Sequence, residues 1–161
     1  MRALIDRFNL RPLPVEGTLF AQTYRSSAAT AIVALYCEDP PSRSNFHVLT
    51  HDEVWHAYAG DPFRLILLHP DGSSEDVVMG RDVRAGHQVQ WVVPAGTWQA
   101  GELLPGGRFS LFGCTMAPGF TPDCFEASPA GPLIARWPAR EADIRRLAIA
   151  ETSERTFGKP F

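Results

Sequence analysis

The sequence predicts an all-β domain, a sandwich or barrel of antiparallel strands with one short helix at each end. Three observations point there. Between residues 18 and 116, short apolar runs rich in aromatic and β-branched residues recur at a spacing of roughly 8–12 residues. The breaks between them are turn chemistry, E-D-P-P-S, G-D-P, H-P-D-G, P-A-G, P-G-G and A-P-G. The strand–helix alternation that a parallel sheet requires is absent.

In chain order, Leu4, Ile5 and Phe8 stand at helical spacing and predict a short amphipathic helix, stopped by the prolines of R-P-L-P-V-E-G. Strands are predicted over 18–26, 29–37, 46–49, 54–59, 63–68, 77–79, 87–93, 98–104 and 109–116. Residues 138–150, P-A-R-E-A-D-I-R-R-L-A-I-A, predict a second helix, with Ile144, Leu147 and Ala148 as its apolar stripe and Glu141 and Arg145 as an i,i+4 pair. A single domain over 1–150 with a loose tail at 151–161 is the expected organisation of these 161 residues.

The composition narrows the function classes. A net charge of −3 with scattered basic residues offers nothing to a nucleic acid or an anionic membrane surface. No apolar run approaches the roughly 18 residues of a membrane span, and the charged N-terminus lacks the apolar stretch of a signal peptide. The three cysteines, Cys37, Cys114 and Cys124, show no C-x-x-C spacing. An odd number of separated thiols suits buried, reduced side chains and a cytoplasmic location. Phosphate-loop, H-E-x-x-H and G-x-S-x-G motifs do not occur.

Two stretches carry the chemistry. One is H-V-L-T-H-D-E-V-W-H-A-Y-A-G from His47 to Gly60, and the other is V-P-A-G-T-W-Q from Val93 to Gln99. Together they resemble the two signature motifs of the cupin superfamily, H-x-H-x3-E-x6-G and P-x-G-x2-H. His47, Glu53 and Gly60 match the first; Pro94 and Gly96 match the turn of the second. Leu49 stands at the second His position of the first motif, and Gln99 at the His of the second. P-V-E-G-T-L-F-A-Q-T-Y-R-S, D-E-V-W, T-W-Q-A and G-C-T-M-A-P-G-F extend the resemblance, over about residues 4–147, to the subgroup called DUF985 or Cupin_5, though Thr18 and Leu19 replace its usual Gly and Tyr. The resemblance implies a jelly-roll β-barrel, and for the subgroup a sugar-epimerase-like activity.

Side chains two apart on a strand share a face. With His47 and Glu53 turned inward, as the cupin topology implies, Leu49, Trp55 and Ala57 turn inward too, while His56 and Tyr58 turn out. The direction of His51, in the connection, stays open. The functional expectation is a small-molecule pocket lined by His47, Leu49, Glu53, Trp55 and Gln99. The alternative is a filled barrel in which His47, Glu53 and Gln99 bond one another.

By analogy with cupin-fold epimerases, His47 is the candidate base, Glu53 its orienting carboxylate, Tyr24 the candidate acid and Arg25 a phosphate contact. For Tyr24 and Arg25 the alternative is packing on a dimer mate, and for Trp55 it is core packing. A non-catalytic binding cupin with the same pocket is the competing function. No metal is expected to stay bound, because Leu49 and Gln99 remove two imidazoles from the usual four-ligand set; a weakly held divalent ion, with His51 or His56 swinging in or a metal-dependent chemistry behind it, is the remaining alternative. A homodimer is expected, with the strand carrying Leu19, Phe20 and Tyr24 crossing to its neighbour.

Overall fold

The computed structural model describes residues 1–156. The last part of the expected tail, residues 157–161, lies outside the described residues. The strands are β1 (Arg11–Pro12), β2 (Leu19–Arg25), β3 (Thr30–Glu38), β4 (Pro41–Ser42), β5 (Ser44–Leu49) and β6 (Glu53–Gly60). They continue as β7 (Phe63–Leu68), β8 (Ser74–Met79), β9 (Gln90–Val93), β10 (Trp98–Leu103), β11 (Phe109–Met116) and β12 (Phe125–Ala127). Helix α1 (Arg2–Phe8) precedes them, and α2 (Ala130–Arg136) and α3 (Glu141–Leu147) follow.

The strands form two antiparallel sheets that face each other, as in a jelly roll. One runs β1-β2-β3-β11-β6-β9, with β4 on β3; the other runs β12-β5-β10-β7-β8. The expected crossing of the N-terminal strand to a neighbour is not how this chain pairs it. Strand β2 lies in its own sheet, with Leu19 opposite Leu35 and Phe20 opposite Ala34, and this register places Leu19 and Leu35 in one apolar cluster with Leu10 and Cys37 under α1.

The main core fills the space between the sheets, with Tyr36, Trp55, Phe63, Leu65, Leu67, Met79 and Phe112 at its centre. The apolar run Leu65–Leu68 does not alternate because both faces of β7 are covered. Leu65 and Leu67 join the inner core, while Ile66 and Leu68 pack with Phe46 and Ala100 against Leu133, Trp137, Ile144 and Leu147. The last four residues belong to the C-terminal helical segment. Its helix α2 is unforeseen in the sequence, where Gly131 and Pro132 argue against helix. Pro132 sits in the first turn, where its missing N–H has no intrahelical partner to lose. Helix α3 is fastened to the sheet by ion pairs: Arg64 meets Glu102 and Asp143 at 2.8 and 2.9 Å, and Arg146 meets the same two at 2.6 and 2.7 Å.

The two motif segments meet as their spacing implies. Gly60 has φ 92°, and a Cβ there would run into the Phe109 carbonyl, so only glycine closes β6. The Pro94–Gly96 turn docks on the β5–β6 connection: Gly96 N–H donates to the Leu49 carbonyl at 2.8 Å, and Ala95 N–H to Asp52 Oδ1 at 2.8 Å. No helix among the described residues is long and apolar enough to cross a membrane.

Candidate functional site

His47 and Glu53 come from opposite sheets, β5 and β6, and converge between them. His47 is 3% exposed and Glu53 8%. Both line one cavity of about 50 Å³, with Leu49, Cys114 and Glu16 among its other walls.

The imidazole of His47 lies against Phe125, centroids 5.2 Å apart and planes 19° from parallel. Its Nδ1 is 2.8 Å from the Asn45 carbonyl oxygen. A carbonyl only accepts, so Nδ1 carries the hydrogen and donates. The neutral ring therefore keeps its lone pair on Nε2, on a side chain that lines the cavity. The orienting partner is this backbone carbonyl rather than Glu53.

Glu53 Oε2 accepts from Gln99 Nε2 at 2.7 Å, and Gln99 Oε1 accepts from Trp55 Nε1 at 2.9 Å. The Cys114 thiol also bonds the carboxyl. Burial pushes Glu53 above the usual carboxyl range; the nearby His47 pulls it back, and the charge of Glu16 pushes it further up. Burial, with the charges of Glu53 and Glu16, holds the Cys114 thiol well above its ordinary value, so it stays protonated and is no nucleophile.

A carboxyl group whose proton is held to higher pH in the folded state than in the unfolded chain makes stability fall as pH rises from the ordinary carboxyl value through the raised one. Glu53→Gln removes this decline, and its amide oxygen still accepts from Gln99. Urea midpoints should show the variant more stable than the parent by about 1 kcal/mol at pH 8, with the gap closing toward pH 4.5. A variant less stable at pH 8 would show that the carboxylate is a net gain in its place.

Glu16 is the site residue that the sequence did not disclose. Its Oε1 accepts from Thr18 Oγ1 at 2.6 Å and Ser44 Oγ at 2.8 Å, and the Ser44 hydroxyl pairs with Tyr36 OH at 2.6 Å. The backbone before it is strained: Val15, a β-branched residue, has φ 66°, and Glu16 N–H closes a three-residue turn onto the Pro14 carbonyl at 2.7 Å. Asn45 holds this turn, donating its side-chain amide to the Val15 carbonyl at 3.1 Å and its N–H to the Glu16 carbonyl at 2.8 Å. One residue thus fixes both Glu16 and, through its own carbonyl, His47. The only sequence signal was V-E-G within the subgroup's motif.

The other sequence candidates are placed as follows. Leu49 lines the cavity. Gln99 is buried beside it, spent on Glu53 and Trp55. Trp55 is packed in the core, its ring stacked on Phe112 at 5.1 Å and 17°, and is absent from the cavity lining. Tyr24 is 55% exposed and also outside the lining. Arg25 lies at the rim, donating to Gln22 Oε1 at 2.8 Å and to the Phe120 carbonyl at 3.3 Å, both residues of the cavity wall.

The donor set does not fit the divalent metal that a cupin cup suggests. Leu49 offers no donor atom, and the Gln99 oxygen is already taken by the Trp55 N–H. His56 points outward and bonds Thr115 Oγ1 at 3.1 Å and Gln90 Nε2 at 3.2 Å. His51 sits in the β5–β6 connection and is absent from the cavity lining. Among the described residues, no group of three or more His, Cys, Asp or Glu side chains converges as metal ligands would.

Two facing sheets in jelly-roll arrangement, with the motif residues His47 and Glu53 meeting between them, define a cupin-type β domain. The family model of the Cupin superfamily (DUF985) matches residues 2–128, and the chain belongs to that family. A hypothetical protein from Leishmania major is 28% identical, with TM-score 0.84 over 92% of this chain and 98% of that one. Protein SO0799 from Shewanella oneidensis is 31% identical, also with TM-score 0.84, over 92% and 97% of the two chains. The uncharacterized yeast protein YML079W (Saccharomyces cerevisiae) is 32% identical over 95 residues, 57% of this chain and 46% of that protein; the match thus spans about half the length of that relative.

Proposed function

We propose that the cavity is a small-molecule site for proton transfer, an isomerase or epimerase chemistry on a hydroxylated, carbohydrate-like ligand. His47 Nε2 takes a proton from the carbon next to a carbonyl, and the C–H electron pair moves to the carbonyl oxygen as an enolate. Glu53, whose carboxyl burial shifts toward its protonated form, lies near enough for its charge to interact with His47 and supplies a proton to the developing oxyanion. Return of a proton to the carbon, with loss of the one on oxygen, completes the cycle. The observation that carries this is the fixed Nδ1–H tautomer of His47, which leaves a basic nitrogen on the cavity wall. The test is incorporation of solvent deuterium next to the carbonyl of keto sugars, free and nucleotide-linked. Exchange supports the catalytic reading. Saturable binding without exchange overturns it in favour of a non-catalytic binding cupin. That second reading draws on the small cavity, about 50 Å³, and on the tight bonding of Glu53 by Gln99.

We further propose that the protein works as a homodimer joined through the outer face of its larger sheet. Beyond the part covered by α1, the outward positions Ala31, Val33, Val54, Tyr58, Gly113, Thr115 and Val92 carry no charge, and burial holds His56 between them toward its neutral form. Tyr58 is 45% exposed and Val92 50%. Uncharged faces of this kind are self-complementary surfaces for a two-fold partner. Light scattering at micromolar concentration should give twice the chain mass, and Tyr58→Lys should shift it to the monomer. A monomeric parent protein would refute the dimer.

A further inference from the structure

We propose that the cavity selects for the donor-rich, non-anionic end of its ligand, a hydroxyl-bearing or ammonium-bearing group, and keeps anionic groups outside at Arg25. This rests on the reading of the cavity as a ligand site and adds the chemical class it accepts.

The lining is short of positive charge. Among the described residues, its ionisable groups are Glu16, Glu53, His47 and the protonated Cys114, and no lysine or arginine lines it. The two carboxyl groups are near enough for the charge of Glu16 to act on Glu53. Of the Glu16 oxygens, Oε1 already takes two hydroxyl hydrogens, and the bonds that hold Glu16 leave Oε2 open. His47, 97% removed from solvent, brings a second acceptor, the Nε2 lone pair, to the same space. A cavity that presents acceptors wants donors. Hydroxyls satisfy both, and a protonated amine also meets the charge of Glu16. A carboxylate or phosphate would instead enter a poorly hydrated space facing like charge, where such contacts are costly.

Glu16 is also held there against local preference. The left-handed conformation of Val15 costs of order 1–2 kcal/mol for a residue of its type, and the turn persists because Asn45 grips it at two points. Backbone strain of this sort gathers where a side chain must be aimed.

Arg25 supplies the complementary half. It is exposed on the rim, and its partners, the Gln22 side-chain oxygen and the Phe120 carbonyl, are both neutral. Its charge is therefore not spent in those contacts. A ligand bearing an anion would leave it there, with the hydroxylated or aminated end inside.

The test follows the His47 ring signals by NMR, assigned by difference against His47→Asn, at constant ionic strength. Four probes are titrated: methylammonium, ethylene glycol, acetate and inorganic phosphate. Methylammonium is expected to shift the His47 signals, with ethylene glycol telling whether hydroxyls suffice. Acetate and phosphate are expected to leave His47 unmoved and to perturb only signals around Arg25, a response lost in Arg25→Gln. Glu16→Gln should weaken methylammonium about tenfold. If acetate or phosphate shifts His47 in the unaltered protein as strongly as methylammonium does, the selectivity is refuted while the ligand site stands. If no probe moves His47, both the selectivity and the ligand site fall.

Discussion

His47→Asn is expected to slow proton exchange into a bound keto sugar by about 10²–10⁴-fold, the usual contribution of a positioned base, without unfolding the protein. The choice of asparagine separates the two jobs of the imidazole. Its side-chain nitrogen reproduces the Nδ1 hydrogen and keeps the bond to the Asn45 carbonyl, which is 2.8 Å long in the parent. What it cannot reproduce is the basic Nε2. Binding of a non-exchanging analogue should change far less than the exchange rate, since an interaction made only in the transition state lowers rate rather than affinity. Exchange at the parental rate in His47→Asn would remove His47 from the chemistry, and an equal loss in rate and affinity would make it a binding group only.

Trp55→Ala is expected to cost about 3–5 kcal/mol, the range for deleting a large buried aromatic. In a chain of this length that corresponds to a fall in Tm of roughly 6–20 °C. Trp55 is 2% exposed and stacks on Phe112 at the centre of the inter-sheet core. Its loss removes ring packing and also strips Gln99 Oε1 of its buried donor. Trp55→Phe separates these effects. It keeps most of the apolar volume and leaves only the unpaired amide oxygen, at a cost of about 1–3 kcal/mol. Urea unfolding with an unchanged slope and a shifted midpoint is the measurement. If both variants cost under 1 kcal/mol, the Trp55–Gln99–Glu53 chain carries no structural weight. The site then stands independently of the core.

The way Trp55 and His56 divide shows what a sequence states well. Their strand has a two-residue period and one buried face, so fixing Glu53 inward sent Trp55 in and His56 out. The helical segment at 130–136 shows the opposite. Gly131 and Pro132 disfavour helix locally, and only the apolar outer face of β5, β7 and β10, waiting to be covered, makes burial of Leu133 and Trp137 outweigh that preference.

The site divides in the same way. His47, Leu49 and Glu53 were legible because they lie on regular strands within a recognisable motif, and Gln99 because it stands at the His position of the second motif; the structure then pairs it with His47 in the ladder. Tyr24 and Arg25 were candidates by analogy, but the register irregularity between Gln22 and Tyr24 sits just before them. Tyr24 is exposed outside the cavity lining and Arg25 stands on the rim.

By itself, then, the sequence determined the strand periodicity, the two glycine-bearing turns and the faces of β5 and β6, all consequences of local sterics and pattern. Only the tertiary structure decided that Glu16 joins His47 and Glu53, because a strained turn far away in sequence is aimed by Asn45, a contact that no local rule contains. Only it, too, decided the tautomer of His47 and the commitment of the Gln99 oxygen to Trp55. A hydrogen bond's direction depends on which acceptor is brought within about 3 Å, and the packing of one sheet on the other decides that.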